Sequence, residues 1–311
     1  MNDPGWHPFD YQLQLQLGEI CVMQFSLSVE RRVFSLPEIL GGAVPAKMPD
    51  LPKCSAGYFL VDIPEPCVQR SIAKTKHWLH YCLQSYQRSF IDMSGDFAAY
   101  QMKFSGKTRS GIRRKVNKLA NHVQRLDLRC YRTPAEIGDF FELAGPVSAA
   151  SYQERLLDCG LPRDSEFIKR AVSKASQNDI RAFVLLADGL PVSYLYCPVY
   201  DGVLQYAHLG YLPDFSRFSP GTVLQWLALE QLFGEQRFKA FDFTGGDSEH
   251  KRFFATHQVP CSLQLILRPT WKHRMLLWVH RTTDVGSVLL VDILDRLGVK
   301  RRLKRWVRRA A

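Results

Sequence analysis

Two Asp-Gly pairs, Asp188-Gly189 and Asp201-Gly202, do most to limit the folds open to this chain of 311 residues. They separate three runs rich in Val, Leu, Phe and Tyr, at 181–187, 192–199 and 203–210. Asp-Gly supplies the positive φ that a two-residue hairpin turn requires, so the runs read as an antiparallel meander. Residues 222–233 then read as a helix with Gly234 as its stop. A strand at 238–243 follows, then a short helix at 248–256 and a last strand at 262–268. The order is meander, helix, strand, helix, strand.

Upstream, Tyr-Gln-Leu-Gln-Leu-Gln-Leu at 11–17 alternates polar and apolar as a half-buried strand does. Further strands are expected at 20–27, 57–63, 77–83 and 88–93, with a Pro- and Gly-rich loop over 41–57. Helices are expected at 97–102 and 106–124. A strand at 127–131 leads into helical stretches up to about residue 175. The fold class is α/β (α+β) with mostly antiparallel sheets. Three regions are expected: 1–126 ending in a basic helix, 127–270, and a helical basic extension at 271–311.

The net charge of +11 is concentrated in two places. Residues 97–126 hold eight Lys/Arg and no acid, and 298–311 hold seven and no acid, leaving 26 basic against 30 acidic residues elsewhere. Such segments favour anionic partners: a phosphorylated cofactor, a nucleic acid or an anionic membrane. In the second segment Val299, Leu303, Trp306 and Val307 share one helical face under a basic coat, which suits an anionic membrane surface as well as docking on the domain. The N-terminus lacks the basic flank and apolar run of a signal peptide. The apolar stretch 275–291 is interrupted by His280, Arg281 and Asp284, too charged to span a bilayer. The eight cysteines contain no C-x-x-C pair and read as reduced thiols in a cytoplasmic protein, peripheral at the inner membrane if the tail binds there. His77, His80 and Cys82 do not fall on one strand face, and no metal site is expected.

The junction Arg217-Phe-Ser-Pro-Gly-Thr222 lies between the third meander strand and the helix. Ser219 is placed to cap the helix, Pro220 suits its first turn, and Gly221 permits close backbone approach. Free N–H groups there, with Arg217 and Thr222, fit a pyrophosphate. The plainer reading is an ordinary Ser-Pro helix start. Lys107, Arg109, Arg113 and Arg114, with Lys115 and Lys118, crowd the helix at 106–124, leaving Ile112, Val116 and Leu119 as its apolar side; a solvated basic face is the plainer reading here. Gly106-Lys107-Thr108 imitates the end of a P-loop, but Gln101 stands where the earlier glycine is required. Asp242, between Phe241 and Phe243, points away from them and is the first candidate base, unless it is a structural carboxylate. Asp247, His250 and Lys251 follow closely. Tyr206, His208 and Tyr211 lie on or just after the third meander strand, where a tyrosine can protonate a departing thiolate. The sequence has no G-x-S-x-G elbow, so no covalent acyl-enzyme is expected.

The segments 97–119, 210–224 and 241–254 together resemble the GNAT-type acetyltransferases found with cellulose and exopolysaccharide synthesis genes, which are similar in turn to the Fem-type aminoacyltransferases with two GNAT-like halves. The resemblance covers roughly residues 90–270. It implies two GNAT-like halves, acetyl-coenzyme A or another acyl-coenzyme A as donor, no metal, and a small or glycan-linked amine acceptor. A Fem-type relative implies aminoacyl-tRNA as donor instead; a third reading is a degenerate module on a membrane synthase. The family tends to have Tyr-Asp-Pro where this chain has Tyr211-Leu212-Pro213, and Tyr where it has His250.

Overall fold

The computed structural model describes residues 5–17, 20–42, 48–151 and 160–296. The chain runs through β1 (His7–Leu17), β2 (Ile20–Val33), α1 (Leu36–Leu40), β3 (Gly57–Ile63), β4 (Ile72–Lys74), β5 (Leu79–Asp92), α2 (Phe97–Met102), α3 (Gly106–Ala120), β6 (Leu126–Tyr131), α4 (Pro134–Ala150) and α5 (Ser165–Ser176). It continues through β7 (Ile180–Ala187), β8 (Leu190–Tyr200), β9 (Val203–Gln205), β10 (His208–Tyr211), a 3-10 helix (Pro213–Phe218), α6 (Pro220–Gly234), β11 (Ala240–Asp242), α7 (Glu249–Phe254), β12 (His257–Leu267) and α8 (Trp271–Arg296). Two compact units form, one from Met1–Gln87 with Pro260–Ala311 and one from Arg88–Val259. The basic helix α3, grouped by sequence with the N-terminal region, therefore shares a unit with the meander and α6.

In the first unit β1 and β2 form a long antiparallel hairpin, His7 opposite Arg31. β2 runs parallel to β3, and β12 antiparallel to it. Gly57 is obligatory at the β3–β12 contact, because a Cβ there would stand 2.0 Å from the Ile266 carbonyl oxygen. Leu13, Leu27, Phe59, Leu79, Tyr81, Leu265 and Leu277 make the core. Cys67 and Cys82 are disulfide-bonded, with Cα atoms 6.1 Å apart. This corrects the expectation that all cysteines are reduced: the turn between β4 and β5 folds the two antiparallel, so cysteines 15 residues apart become neighbours. Cys197 and Cys261 are buried thiols, as packing predicts.

In the second unit β7 is buried at all eight positions because helices cover both faces. The strand period of two divides its residues. Phe183, Leu185, Leu195, Cys197 and Val199 meet Ile112 and Leu119 of α3 and Val223, Leu224 and Leu229 of α6. Ala182, Val184, Leu186, Tyr194 and Tyr196 meet Ile137, Phe140 and Ala144 of α4 and Ala171 of α5. α6 is mostly apolar and correspondingly enclosed, with Glu230 and Gln231 exposed. Both Asp-Gly turns take the expected positive φ, at 51° and 83° for Asp188-Gly189 and 52° and 80° for Asp201-Gly202. This is the GNAT order of meander, helix, strand and helix, in a mixed, mostly antiparallel sheet. The strands expected at 77–83 and 88–93 are one continuous strand, β5; that expected at 203–210 breaks into β9 and β10. Among the described residues no helix is long and apolar enough to cross a membrane. The basic stripe of 298–311 lies outside the described residues.

Candidate functional site

The break between β9 and β10 opens the sheet. β11 lies parallel to β9, Ala240 beside Val203 and Asp242 beside Gln205, and the Tyr206 N–H donates to the Asp242 carbonyl at 2.8 Å. Beyond this point β10 follows β8 alone, His208 opposite Tyr196 through Tyr211 opposite Ser193. The other wall turns away through Thr244 and Gly246, both at positive φ, while the Phe243 N–H bonds to Ser89 on β5. The Ala207 N–H reaches the Tyr196 carbonyl one place out of register, so an extra residue is accommodated here as a bulge. The Leu212 N–H donates to Val192 in register. By antiparallel alternation the Gly210 N–H also faces β8, and those of Leu209 and Tyr211 point the other way, into the opening.

The bulge sends Tyr206 and His208 to opposite layers. Tyr206 packs against Phe241, Phe243 and His250, on the side of α6. His208 packs instead against Phe167 and Tyr196, on the side of α5. Tyr211 is exposed at the end of β10, its ring against Gly221.

At the end of the opening stands the N-terminus of α6. Ser219 occupies the cap position in left-handed backbone, φ 53° and ψ 52°, and its side chain makes no capping bond, contrary to expectation. Its carbonyl accepts from the N–H groups of Thr222 and Val223, and Pro220 has none to offer. The Gly221 N–H is left without an acceptor among the described residues. Gly221 does allow a close approach, but of β10: a Cβ would lie 3.1 Å from Leu209 Cδ2. Arg217 is exposed, its guanidinium over the Phe218 ring and 3.4 Å from His122 Nε2.

The basic helix meets this corner. Lys118 Nζ donates to the Arg217 carbonyl at 3.1 Å and lies over Phe218. Lys107, Arg114 and Lys118 share the helical face next to Lys115, whereas Arg109 and Arg113 occupy the opposite flank. Arg109 contacts the Met102 sulfur. The expected cationic set is therefore divided, with Lys107, Arg114, Lys115 and Lys118 on one side of the helix and Arg109 and Arg113 on the other.

Behind the corner, His250 of α7 bonds through Nε2 to Gln225 Oε1 of α6 at 2.5 Å. Burial, reinforced by the charges of Lys115 and Lys251, lowers the His250 pKa to about 4. The ring is therefore neutral at physiological pH. With Nε2–H donating to the amide oxygen, Nδ1 keeps its lone pair. Gln225 is fully buried and its Nε2 has no partner among the described residues. Burial raises the Tyr206 pKa, so its hydroxyl stays protonated. Lys251 braces the turn before α7, donating to Gly245 at 2.6 Å, and Asp247 pairs on the surface with Arg252. Neither faces the opening with a free group.

Asp242 is fully buried on β11. Its alternation away from Phe241 and Phe243 is as expected, but what it meets is Arg88 of β5. The guanidinium binds both carboxylate oxygens, and Oδ1 also accepts from the Thr244 N–H at 2.8 Å. The carboxylate is wholly buried. It pins β11 to β5 and shapes the turn after it. Leu212, where the resembling family tends to have an acid, packs partly buried against both cores. Sequence reasoning passed over Gln225, because a glutamine inside an apolar helix carries no motif, and Arg88, whose partner is far along the chain. Lys118 was legible through its helical spacing from Lys107 and Arg114.

Residues 106–252 match the family model of the acetyltransferase (GNAT) domain. No curated protein gives a significant match. Among solved structures the chain is similar to the C-terminal domain of a putative lysylphosphatidylglycerol synthetase from Agrobacterium fabrum, at 14% identity and TM-score 0.42, over 58% of this chain and 61% of that one. It is similar to L-PGS from Bacillus licheniformis at 16% identity and TM-score 0.40, over 66% and 67%. It is similar to FemX at 11% identity and TM-score 0.48, over 88% and 90%. The chain thus spans about three fifths of the first of these. The matched segment runs from α3 through the meander and α6 into α7 and holds the elements that frame the opening, so the framework around the opening is the part of this chain that is similar to an acetyltransferase (GNAT) domain.

Proposed function

We propose that the chain transfers an acyl group directly from a coenzyme A thioester to an amine, on a small molecule or a glycan of the cell envelope. The observation that carries this reading is the opening itself. The Leu209 and Tyr211 N–H groups line one wall, and the unpaired Gly221 N–H stands at its end beside Arg217 and Lys118. Those groups fit an acyl carbonyl and a pyrophosphate at two separate points. The thioester supplies an activated carbonyl carbon. The amine nitrogen bonds to it, the carbon–sulfur bond breaks, the nitrogen loses a proton and the sulfur gains one.

The residues divide that work. The Leu209 and Tyr211 N–H groups hold the carbonyl oxygen as charge develops on it. Nδ1 of neutral His250 accepts the amine proton, and Gln225 fixes the ring that does so. The Tyr206 hydroxyl, kept protonated by burial, donates to the sulfur. Asp242 and Arg88 keep β11 in place and take no proton. Release of free coenzyme A thiol from acetyl-coenzyme A, followed over a panel of amines against an amine-free blank, tests the reading. Amine-dependent release that falls in a His250→Gln chain supports it; no amine-dependent release overturns it.

A second reading keeps the fold and changes the donor to aminoacyl-tRNA. The exposed cations of α3 favour it, being more numerous than one pyrophosphate requires. Binding of tRNA that weakens steeply with salt, with no heat from acetyl-coenzyme A, is its signature.

A further inference from the structure

The outer face of α8 carries Trp271, Met275 and Trp278, which are 67%, 56% and 62% exposed. They stand at i, i+4 and i+7 and so form one stripe. The opposite face of the helix is the one the first unit uses. There Leu277 is fully buried, and His280 accepts or donates at 2.7 Å to the Tyr81 hydroxyl within the core. Two indoles and a thioether in water on a single stripe are more than scattered surface apolarity. Beside them an open groove of about 620 Å³ is lined by Ile72, Lys74, Leu79, Arg274, Met275 and Trp278.

The surrounding charge has one sign. From Arg268 to Thr283 the sequence contains no Asp or Glu. Lys272, Arg274 and Arg281 are exposed around the stripe, and Lys74 is exposed on the far wall of the groove. None of these four meets a carboxylate among the described residues.

We propose that this face of α8 lies on an anionic bilayer. Trp271, Met275 and Trp278 sit at headgroup depth, where amphipathic indoles are favoured, and Lys74, Lys272, Arg274 and Arg281 take the lipid phosphates. A second copy of the chain would set two identical cationic rims against each other. An RNA would satisfy the cations and leave the apolar stripe in water. The bilayer uses both features. This proposal is independent of the acyl-transfer reading and does not draw on 298–311.

The test is co-sedimentation of the full chain with vesicles of phosphatidylcholine and phosphatidylglycerol, beside vesicles of phosphatidylcholine alone. The parent binds the anionic vesicles at low salt with a blue shift in tryptophan emission, and binds the neutral ones weakly. Met275→Ser with Trp278→Ser lowers partition by about tenfold while far-UV circular dichroism and Tm hold. Lys272→Glu with Arg274→Glu, which touches no core residue, gives a comparable loss. Absence of binding, equal binding to neutral vesicles, or unchanged binding in both double variants overturns the proposal. So does a dimer in solution that the Met275/Trp278 variant abolishes.

Discussion

Asp242→Asn separates the two readings of the most prominent acid in the domain. The native carboxylate accepts from Arg88 through both oxygens and from the Thr244 N–H, and no water reaches it. Asparagine keeps one oxygen for Thr244 and the Arg88 Nε–H, but turns an NH₂ group toward the second guanidinium nitrogen. Two donors then face each other, and Arg88, 3% exposed, loses the charge of the Asp242 carboxylate. Removing one partner of such a pair costs about 3–5 kcal/mol. For a unit of this size that lowers Tm by about 6–20 °C. Arg88→Met combined with Asp242→Leu removes both buried charges and recovers part of the loss. About 1–3 kcal/mol remains for the Thr244 N–H, which loses its acceptor. Urea denaturation and turnover at several pH values, below the lowered Tm, supply both readouts. The account is refuted if the asparagine variant keeps its stability and loses turnover by two orders of magnitude together with a limb of its pH profile. That outcome makes Asp242 the base.

Arg217→Ala with Lys118→Ala weakens acetyl-coenzyme A binding by about tenfold or more and flattens its salt dependence, measured by calorimetry at two ionic strengths. Arg109→Ala, on the other flank of α3, leaves the affinity unchanged. His250→Gln lowers turnover by roughly 100-fold or more, and the parent shows no inflection between pH 5.5 and 7.5, because its imidazole titrates near 4. The same shift makes stability depend on pH. The folded pKa of about 4 lies below the free value of 6.5, so the unfolded chain takes up the proton first. Stability present above pH 6.5 is lost as pH falls toward 4, by ~3 kcal/mol from this group. His250→Phe flattens that window in thermal melts. Gly221→Val destabilises by about 1–3 kcal/mol by wedging α6 from Leu209, a packing effect rather than an occupied phosphate position.

Periodicity and turn chemistry made most of the second unit legible. Asp-Gly at two places forced the meander, and the apolar run at 222–233 could only be an enclosed helix. The break at Tyr206–Ala207 carried no such signal. A bulge is set by what pairs on each side, here β8 throughout but β11 only as far as Gln205, and those partners lie far off in sequence. Simple alternation puts residues 206 and 208 on one strand face, whereas with the bulge they face opposite layers. The surroundings of Asp242 were hidden for a related reason. Alternation gave its direction correctly, yet Arg88, 154 residues earlier, decides what it meets there. Ser219 reads as a cap because serine before proline usually is one; its left-handed backbone turns the hydroxyl away from the N–H groups it would bind. The cysteine pair was illegible since 67 and 82 show no motif and come together only through the return of the chain to β5.

Calorimetric titration of the full chain with acetyl-coenzyme A tests the central claim most directly. The account predicts a saturable one-to-one heat that the Arg217→Ala/Lys118→Ala chain loses and the Arg109→Ala chain keeps. A folded parent that gives no heat with acetyl-coenzyme A, or equal affinity in all three chains, contradicts it.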